Sequence, residues 1–433
     1  MRHRNGCDLH LSAARVTARQ PTEAAAPTAS GQDPPGRWKG LAILAVAMLL
    51  AMTTWFSATA VVPQLEAEWS LSSAQSAWLT IAVQLGFVAG AVASAVLGLA
   101  DRIPPRRLML YGAIGAAGCN VLLLTGPPVI LAAVLRAGTG ACLAGVYPPA
   151  MKVMATWFRY GRGTALGVMV GALTLGSATP HLVNGLGGLD WRIVITTTSA
   201  LTVAGGAIAE FTGEDGPFPF PSGSFDLNQA WKASTSRGVL LASAGYFGHM
   251  WELYAMWAWF AVFYRQVLQD AGVGDPGRDA ALATFAVIGV GALGCLAGGV
   301  LGDRWGRSNT TSLSMAISGT CAILIGLTLT LPPIVALIIG LVWGFWVVAD
   351  SAQFSTVVTE VVDQEYVGTA VTLQLAVGFT LTVATLWLVP VLVDALTWRW
   401  AFAVLAIGPA GGIIAMLRLR GLPEAARIAG GSG

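Results

Sequence analysis

Long apolar segments separated by short polar ones make up most of this chain of 433 residues. A helix needs about 20 mostly apolar residues to span a bilayer, whereas a spanning strand shows only about ten residues of alternating pattern. The apolar segments here are continuous, so they predict helices. The alternative to twelve helices is eleven, because the fifth segment is polar and rich in glycine, although a cavity-facing helix tolerates this. The twelve expected helices lie at residues 39–62, 74–98, 108–126, 129–153, 164–186, 192–210, 238–263, 280–301, 310–331, 333–358, 367–390 and 398–418.

Polar stretches divide the chain into parts. The segment at the N-terminus has no apolar centre, so it is not a cleavable signal peptide. The later part of the longest internal loop, 225–236, is compatible with a short surface helix. The expected parts are a disordered cytoplasmic tail at 1–37, a six-helix bundle at 38–210, a cytoplasmic central loop at 211–237, a second six-helix bundle at 238–420 and a cytoplasmic tail at 421–433.

Composition agrees with a membrane protein. Only 11% of the residues are charged and 55% are hydrophobic, whereas soluble domains carry about 25% charged residues. A soluble enzyme, a nucleic-acid-binding protein and a disordered scaffold are therefore poor fits to this composition. The five cysteines form no CxxC pair, and four lie in apolar segments, so they predict small buried hydrophobes and not metal ligands. Neither a phosphate-binding loop nor an HExxH motif is present. We therefore expect no cofactor and no enzymatic activity.

The distribution of Lys and Arg predicts the orientation. With the N-terminus inside, 19 of the 24 basic residues fall on the inner side. Only Arg192, Arg265, Arg278 and Arg399 fall on the outer side, and Arg136 lies within the fourth apolar segment. Loops on the cytoplasmic side carry the excess of basic residues. The pattern predicts a multi-pass protein of the cell (inner) membrane with both termini in the cytoplasm.

The two halves of the chain repeat each other. LGLADRIPPRR (97–107) follows the second apolar segment, and GVLGDRWGRS (299–308) follows the eighth, so that Asp101 and Asp303 are 202 residues apart. DWR (190–192) precedes the sixth segment, and TWR (397–399) precedes the twelfth. Two motifs repeated at equivalent positions of the two halves are typical of transporters built from parallel repeats.

These motifs resemble those of the major facilitator superfamily. GVLGDRWGR matches the superfamily's loop pattern G-x-L-x-D-R-x-G-R at every fixed position, and LGLADRIPPRR is a weaker copy in which Leu97 and Pro104 replace two glycines. RAGTG, with Arg136 and Gly140, resembles the R-x-x-x-G motif of the fourth helix. The resemblance covers about residues 38–420, and a weaker one points to the cyanate and nitrate permease group. It implies an all-α polytopic membrane protein, with twelve transmembrane helices in two six-helix bundles, and a monomer.

The resemblance also implies a cytoplasmic gate, in which an acidic residue and arginines hold helix ends together. The alternative is simple anchoring of basic residues on the inner side. Asp and Arg near helix ends are each favoured by about 0.3–1 kcal/mol through the helix dipole. The gate residues expected from the two loops are Asp101, Arg102, Arg106, Arg107, Asp303, Arg304 and Arg307.

Three charged residues, Arg136, Glu252 and Asp350, lie inside predicted spans. Each costs about 2.5–3.5 kcal/mol to insert at mid-bilayer, so each needs a partner or a cavity. His249 precedes Glu252 by three residues and shares its helix face. His249 and Glu252 are expected either to exchange protons as a pair or to brace neighbouring helices. Arg136 resembles the superfamily's fourth-helix arginine and is expected to handle substrate or protons, or else to anchor backbone carbonyls.

Further polar and aromatic residues complete the candidate site. Asp350 and Gln353 lie one turn apart and predict either a cavity wall or a solvated inner end. Trp55, Tyr147 and Gln374 are expected to line the cavity or to pack in the core.

Together these features predict a secondary active transporter that works by alternating access. Protons are the expected coupling ion, and a small organic or inorganic anion is the favoured solute. Nitrate itself is less favoured, because the second and eighth segments lack the arginines that nitrate transporters use there. The alternative is a proton-driven exporter of drugs or other xenobiotics, which the aromatic seventh segment would suit.

Overall fold

The computed structural model describes residues 34–158, 161–218, 235–362 and 367–431. Regular structure within these ranges is entirely helical. Residues 1–33 of the tail predicted at 1–37 lie outside the described residues, as do residues 225–234 of the surface helix predicted at 225–236. We number the spanning helices in chain order: α1 Arg37–Thr54, α2 Ala74–Val96, α3 Pro105–Thr125, α4 Val129–Ala155, α5 Arg162–Leu186, α6 Trp191–Phe211, α7 Arg237–Asp270, α8 Pro276–Trp305, α9 Arg307–Thr330, α10 Pro333–Val361, α11 Ala370–Leu396 and α12 Trp398–Arg420.

Eleven of these helices are long and apolar enough to span a membrane. The twelfth is α7, which has 34 residues and a length of about 51 Å at 1.5 Å per residue. Polar residues, including His249 and Glu252, lower its hydropathy but leave it largely buried. The prediction of twelve helices is therefore confirmed. The alternative that removed the fifth segment is wrong, because α5 is a continuous helix whose polar residues face the protein interior.

The two halves meet mainly along two helix pairs. Helix α5 packs along the whole of α8, and α2 packs along α11. Small residues make the first contact possible: a Cβ atom on Gly167 would lie 2.6 Å from the carbonyl oxygen of Cys295, and one on Gly299 would lie 2.7 Å from that of Gly163. Glycines spaced by four residues therefore bring the two backbones together, as in other close membrane-helix contacts.

Three spans are interrupted near the middle of the bundle. Helix α1 tightens to a 3-10 turn at Met52–Thr54 and continues as turns through residues 55–58. Helix α4 breaks at residues 144–146, just before Pro148 and Pro149, which cannot donate backbone hydrogen bonds. Helix α10 breaks at residues 347–350. Carbonyl groups freed at such breaks need other partners inside a membrane, and interrupted helices often mark transport sites.

We call the end where α1 begins and α12 ends the inner end, and the opposite end the outer end. Beyond its break, α1 extends at the outer end through a turn, Thr59–Val61, and a short helix, Val62–Trp69. Glu68 in this short helix accepts hydrogen bonds from Trp191 (2.7 Å) and Arg192 at the start of α6. The hydrogen bond from Trp191 and then that from Arg192 hold the pKa of Glu68 below its usual range. The outer extension is thereby tied to α6.

Candidate functional site

Glu252 lies in α7 and is buried against two other helices of the C-terminal half. Its Oε2 accepts a hydrogen bond from Ser318 of α9 (2.8 Å), and its Oε1 accepts one from the indole of Trp343 of α10 (2.8 Å). Only 1% of its surface is exposed. Both donors are neutral, so no cation among the described residues compensates the charge of the ionised form.

His249 and Asp350 form a separate pair one turn closer to the inner end. Nδ1 of His249 lies 2.8 Å from Oδ1 of Asp350, and Nε2 lies 3.0 Å from the hydroxyl of Ser351. Nδ1 of His249 is thus within ion-pair distance of the Asp350 carboxyl group, and the Ser351 hydroxyl can bond with Nε2 in either tautomer of the ring. The alternative that placed Asp350 in solvent is wrong, because it is 1% exposed and lies in the break of α10.

The expected pairing of His249 with Glu252 needs correction. A spacing of three residues puts both on one side of α7, but their hydrogen-bond partners differ. Glu252 bonds with α9 and the outer segment of α10, whereas His249 bonds with residues at the break of α10. The C-terminal half thus holds two buried acid sites, one of them paired with a histidine.

Arg136 is fully buried in α4 and supports the break in α1. Within the described residues it has no acidic partner, and each of its three side-chain nitrogens donates to at least one acceptor. This geometry agrees with the alternative in which Arg136 anchors backbone carbonyls. The break in α1 leaves carbonyl groups without helical partners, and Arg136 donates to them. Its acceptors are the backbone oxygens of Thr54 (3.1 Å), Trp55 (2.5 Å) and Leu79 (3.3 Å) and the side chains of Ser57 (3.2 Å) and Asn120 (3.0 Å).

Four aromatic rings meet where the halves face each other. This central aromatic cluster consists of Trp55 of α1, Phe87 of α2, Tyr254 of α7 and Phe379 of α11. Ring centroids are 4.8 Å apart for Trp55 and Phe87, 4.8 Å for Phe87 and Phe379, and 5.2 Å for Tyr254 and Phe379. The half-buried ring of Tyr147 lies 6.5 Å from Phe87. Two of the neutral residues predicted to line the cavity are therefore in the cluster or beside it.

Two buried amides lie on the helices that carry the cluster. Gln84 of α2 is fully buried and Gln374 of α11 is 3% exposed. Among the described residues, neither amide has a hydrogen-bond partner for its oxygen or its nitrogen. An unpaired buried polar group costs about 1–3 kcal/mol, and such groups are typical of surfaces that meet a ligand. Gln374 was expected from the sequence, but Gln84 was not.

A second polar group lies at the inner end. Arg307, at the start of α9, donates to both carboxylate oxygens of Glu360 (2.9 and 2.8 Å) and to Oε1 of Gln353 (2.7 Å). Asp303 lies 3.5 Å from Arg307 and packs against Gly163, in the first turn of α5. Since α5 belongs to the N-terminal half, the carboxylate of Asp303 joins the two halves at a helix N-terminus, where negative charge is favoured.

A family model described as Major Facilitator Superfamily matches residues 44–385. The chain belongs to the major facilitator superfamily. A search of solved structures finds a bacterial homolog of the human lysosomal transporter Spinster, in an inward-facing and unoccupied conformation. It has a TM-score of 0.62 and 17% identity, and the match covers 92% of this chain and 98% of the other. No curated protein matches the sequence. The chain is therefore a multi-pass membrane transporter with the major facilitator fold.

The two copies of the superfamily's loop motif make different contacts. In the C-terminal copy, Asp303 contacts the other half. In the N-terminal copy, Arg106 donates to the backbone oxygens of Glu210 (3.0 Å) and Gly213 (2.7 Å), at the end of α6 in the same half. Arg102 and Arg304 are exposed and form no hydrogen bond with the described residues, and the side chain of Asp101 is outside the described set.

Proposed function

We propose that this superfamily member is a proton-coupled secondary active transporter of a small organic solute, working by alternating access between its two halves. The observation that carries the proposal is that two acid sites are buried in the C-terminal half. Their contacts connect α7 with α9 and α10. An ionised carboxylate is costly to bury without a cation. Gain and loss of a proton would therefore change how strongly these helices hold each other.

In this proposal Asp350 and His249 form the first proton site and Glu252 the second. Asp350 lies at the break of α10, where a small change of backbone angle moves the whole inner segment. A proton shared between His249 and Asp350 would be released as the inner segment of α10 moves.

The residues at the centre of the molecule indicate which class of solute the protein would carry. The sequence favoured an anion because Arg136 is a deeply placed cation, but its donors are engaged by α1, α2 and α3. The central aromatic cluster and the unpaired amides of Gln84 and Gln374 instead favour a solute with an apolar or aromatic body and some hydrogen-bonding groups. The second candidate function, export of drugs or other xenobiotics, draws support from the same cluster.

The proposal keeps the predicted orientation, in which the inner end faces the cytoplasm of a cell bounded by an inner membrane. Asp303 and Arg307 would then form the cytoplasmic gate, with Arg102, Arg106 and Arg304 around it. Residues 1–37, 211–237 and 421–433 would be cytoplasmic, and the bundles at 38–210 and 238–420 would move as the two halves of a monomer.

A transport screen tests the proposal. Purified protein is reconstituted in proteoliposomes, and a panel of organic cations, anions and neutral aromatic compounds is offered with and without an imposed pH gradient. We expect accumulation of an organic compound that depends on the gradient. Accumulation that follows a sodium gradient alone, or of small inorganic anions alone, would contradict the proposal.

A further inference from the structure

A cleft opens at the outer end between the two halves, away from the central aromatic cluster. Its walls are the outer extension of α1, the outer ends of α5 and α7, and the beginning of α8. Its volume is about 370 Å³, within the range of small-molecule sites. Much of the lining is apolar, including Pro63, Leu189 and Val262.

Unpaired polar atoms face this cleft. His181 of α5 is fully buried, and within the described part of the chain neither of its ring nitrogens has a hydrogen-bond partner. A neutral imidazole offers one donor and one acceptor. A histidine in a membrane span without partners is costly, so a polar ligand at this position would stabilise it.

The orientation of Gln64 is fixed by its neighbours. Asn184 donates through Nδ2 to the backbone oxygen of Ala60 (2.8 Å), so its Oδ1 accepts from Nε2 of Gln64 (3.1 Å). Oε1 of Gln64 is consequently left as an acceptor, shielded from solvent and without a partner among the described residues. The cleft therefore offers a hydrogen-bond acceptor that only an N–H or O–H group can satisfy.

One charge of each sign lies in the lining. Arg265 of α7 has an Nε that is shielded from solvent and unpaired within the described residues. Asp275 precedes the first turn of α8 and uses Oδ1 to accept from the backbone N–H of Arg278 (3.1 Å). A ligand with a single charge would meet one favourable and one unfavourable group. A ligand with both charges would meet two favourable ones.

We propose that the outer cleft binds a small zwitterion that carries a carboxylate, an ammonium group and an apolar side chain, as an α-amino acid does. The carboxylate would pair with Arg265, and the guanidinium suits this planar partner. The ammonium would donate to Gln64 and face Asp275, with His181 satisfied between them. The apolar side chain would lie against Pro63 and Val262. The site stands independently of the proposed proton coupling.

Direct binding tests this site with L-phenylalanine as the probe. Tritiated L-phenylalanine is titrated onto the full chain in lipid nanodiscs without any gradient, and two analogues compete: 3-phenylpropanoate, which lacks the ammonium, and 2-phenylethylamine, which lacks the carboxylate. We expect saturable binding of L-phenylalanine and at least about tenfold weaker competition by each analogue, since each loses one charge-assisted contact.

Variants locate the site. Arg265→Gln and Asp275→Asn should each weaken L-phenylalanine binding by at least about tenfold, and asparagine preserves the helix cap at Asp275. Arg278→Gln and Asp279→Asn, exposed neighbours outside the lining, are the matched controls and should leave binding unchanged. Equal melting temperatures would show that all four variants are folded.

The proposal is overturned if L-phenylalanine does not bind saturably, if 3-phenylpropanoate competes as well as L-phenylalanine, or if Arg265→Gln and Asp275→Asn bind like the controls. None of these outcomes bears on proton coupling, because no gradient is present. Conversely, a transporter without proton coupling would still show the binding.

Discussion

Arg136 is predicted to hold the interrupted part of α1 in place, and its replacement tests this directly. Lysine keeps the charge but has three N–H donors instead of five. Five acceptors surround Arg136, so Arg136→Lys loses at least two of these hydrogen bonds. A hydrogen bond to a charged group contributes about 1.5–3 kcal/mol, which gives an expected loss of about 3–6 kcal/mol in the free energy of unfolding.

The effect of Arg136→Met should be larger and should be concentrated in α1. Methionine removes all five donors, and the backbone carbonyls of Thr54, Trp55 and Leu79 would lose their hydrogen bonds to the guanidinium. At about 1.5–3 kcal/mol for each hydrogen bond to a charged group, the expected loss is roughly 4.5–9 kcal/mol. Ser57 and Asn120 would still bond with each other (2.7 Å).

Two measurements check this prediction. The melting temperature in detergent reports the loss of stability, and hydrogen exchange followed by mass spectrometry should show faster exchange at residues 53–61. Arg418→Lys, an exposed position at the end of α12, is the control and should change stability by less than about 0.5 kcal/mol. If Arg136→Lys melts like the wild type and exchange at 53–61 is unchanged, Arg136 is not the anchor of the break, and a role as a free substrate ligand regains support.

Two further predictions concern acidic residues. Glu252→Gln should keep nearly wild-type stability because its amide can accept from Trp343 and donate to Ser318. Glu252→Ala should lower the free energy of unfolding by about 1–3 kcal/mol, because the indole of Trp343 would lose its acceptor while the hydroxyl of Ser318 keeps the backbone oxygen of Met315. Equal melting temperatures for both variants would contradict the contacts of Glu252. The depressed pKa of Glu68 means that its stabilising effect is complete above the usual value of 4.5 and is lost as the pH falls through the lower, folded value. Fluorescence of Trp191 should therefore change below pH 4.5, and Glu68→Gln should remove that change.

The sequence predicts the scaffold well because a bilayer imposes a strong constraint on each helix. Continuous apolar segments predicted the twelve helices. The fifth segment was ambiguous because hydropathy does not distinguish a helix that faces lipid from one buried in protein. Helix α7 likewise contains polar residues, including His249 and Glu252, and it is largely buried in protein.

The sequence did not predict which residues contact the buried charged groups. The spacing of His249 and Glu252 placed them on one face of α7, but the approach of Ser318, Trp343 and Asp350 depends on how α9 and α10 pack. Residues 347–350, where α10 breaks, include no proline or glycine, so the local sequence does not predict this break.

The sequence predicted only part of the central aromatic cluster, for a different reason. Trp55 stands out beside threonines in α1, but Phe87 and Phe379 are apolar residues in apolar helices. Gln84 was the available signal in α2, since an amide in the middle of a membrane helix needs an explanation as much as a charge does.

The central claim is that buried acids of the C-terminal half couple solute movement to protons. The most direct test compares two transport modes in proteoliposomes, for the solute found in the screen: accumulation driven by a pH gradient, and exchange of labelled for unlabelled solute at equal pH. Asp350→Asn and Glu252→Gln should each abolish accumulation while retaining exchange, and Asp279→Asn, an exposed acid at the start of α8, should retain both. Gradient-driven accumulation at the wild-type level in both Asp350→Asn and Glu252→Gln would contradict the account.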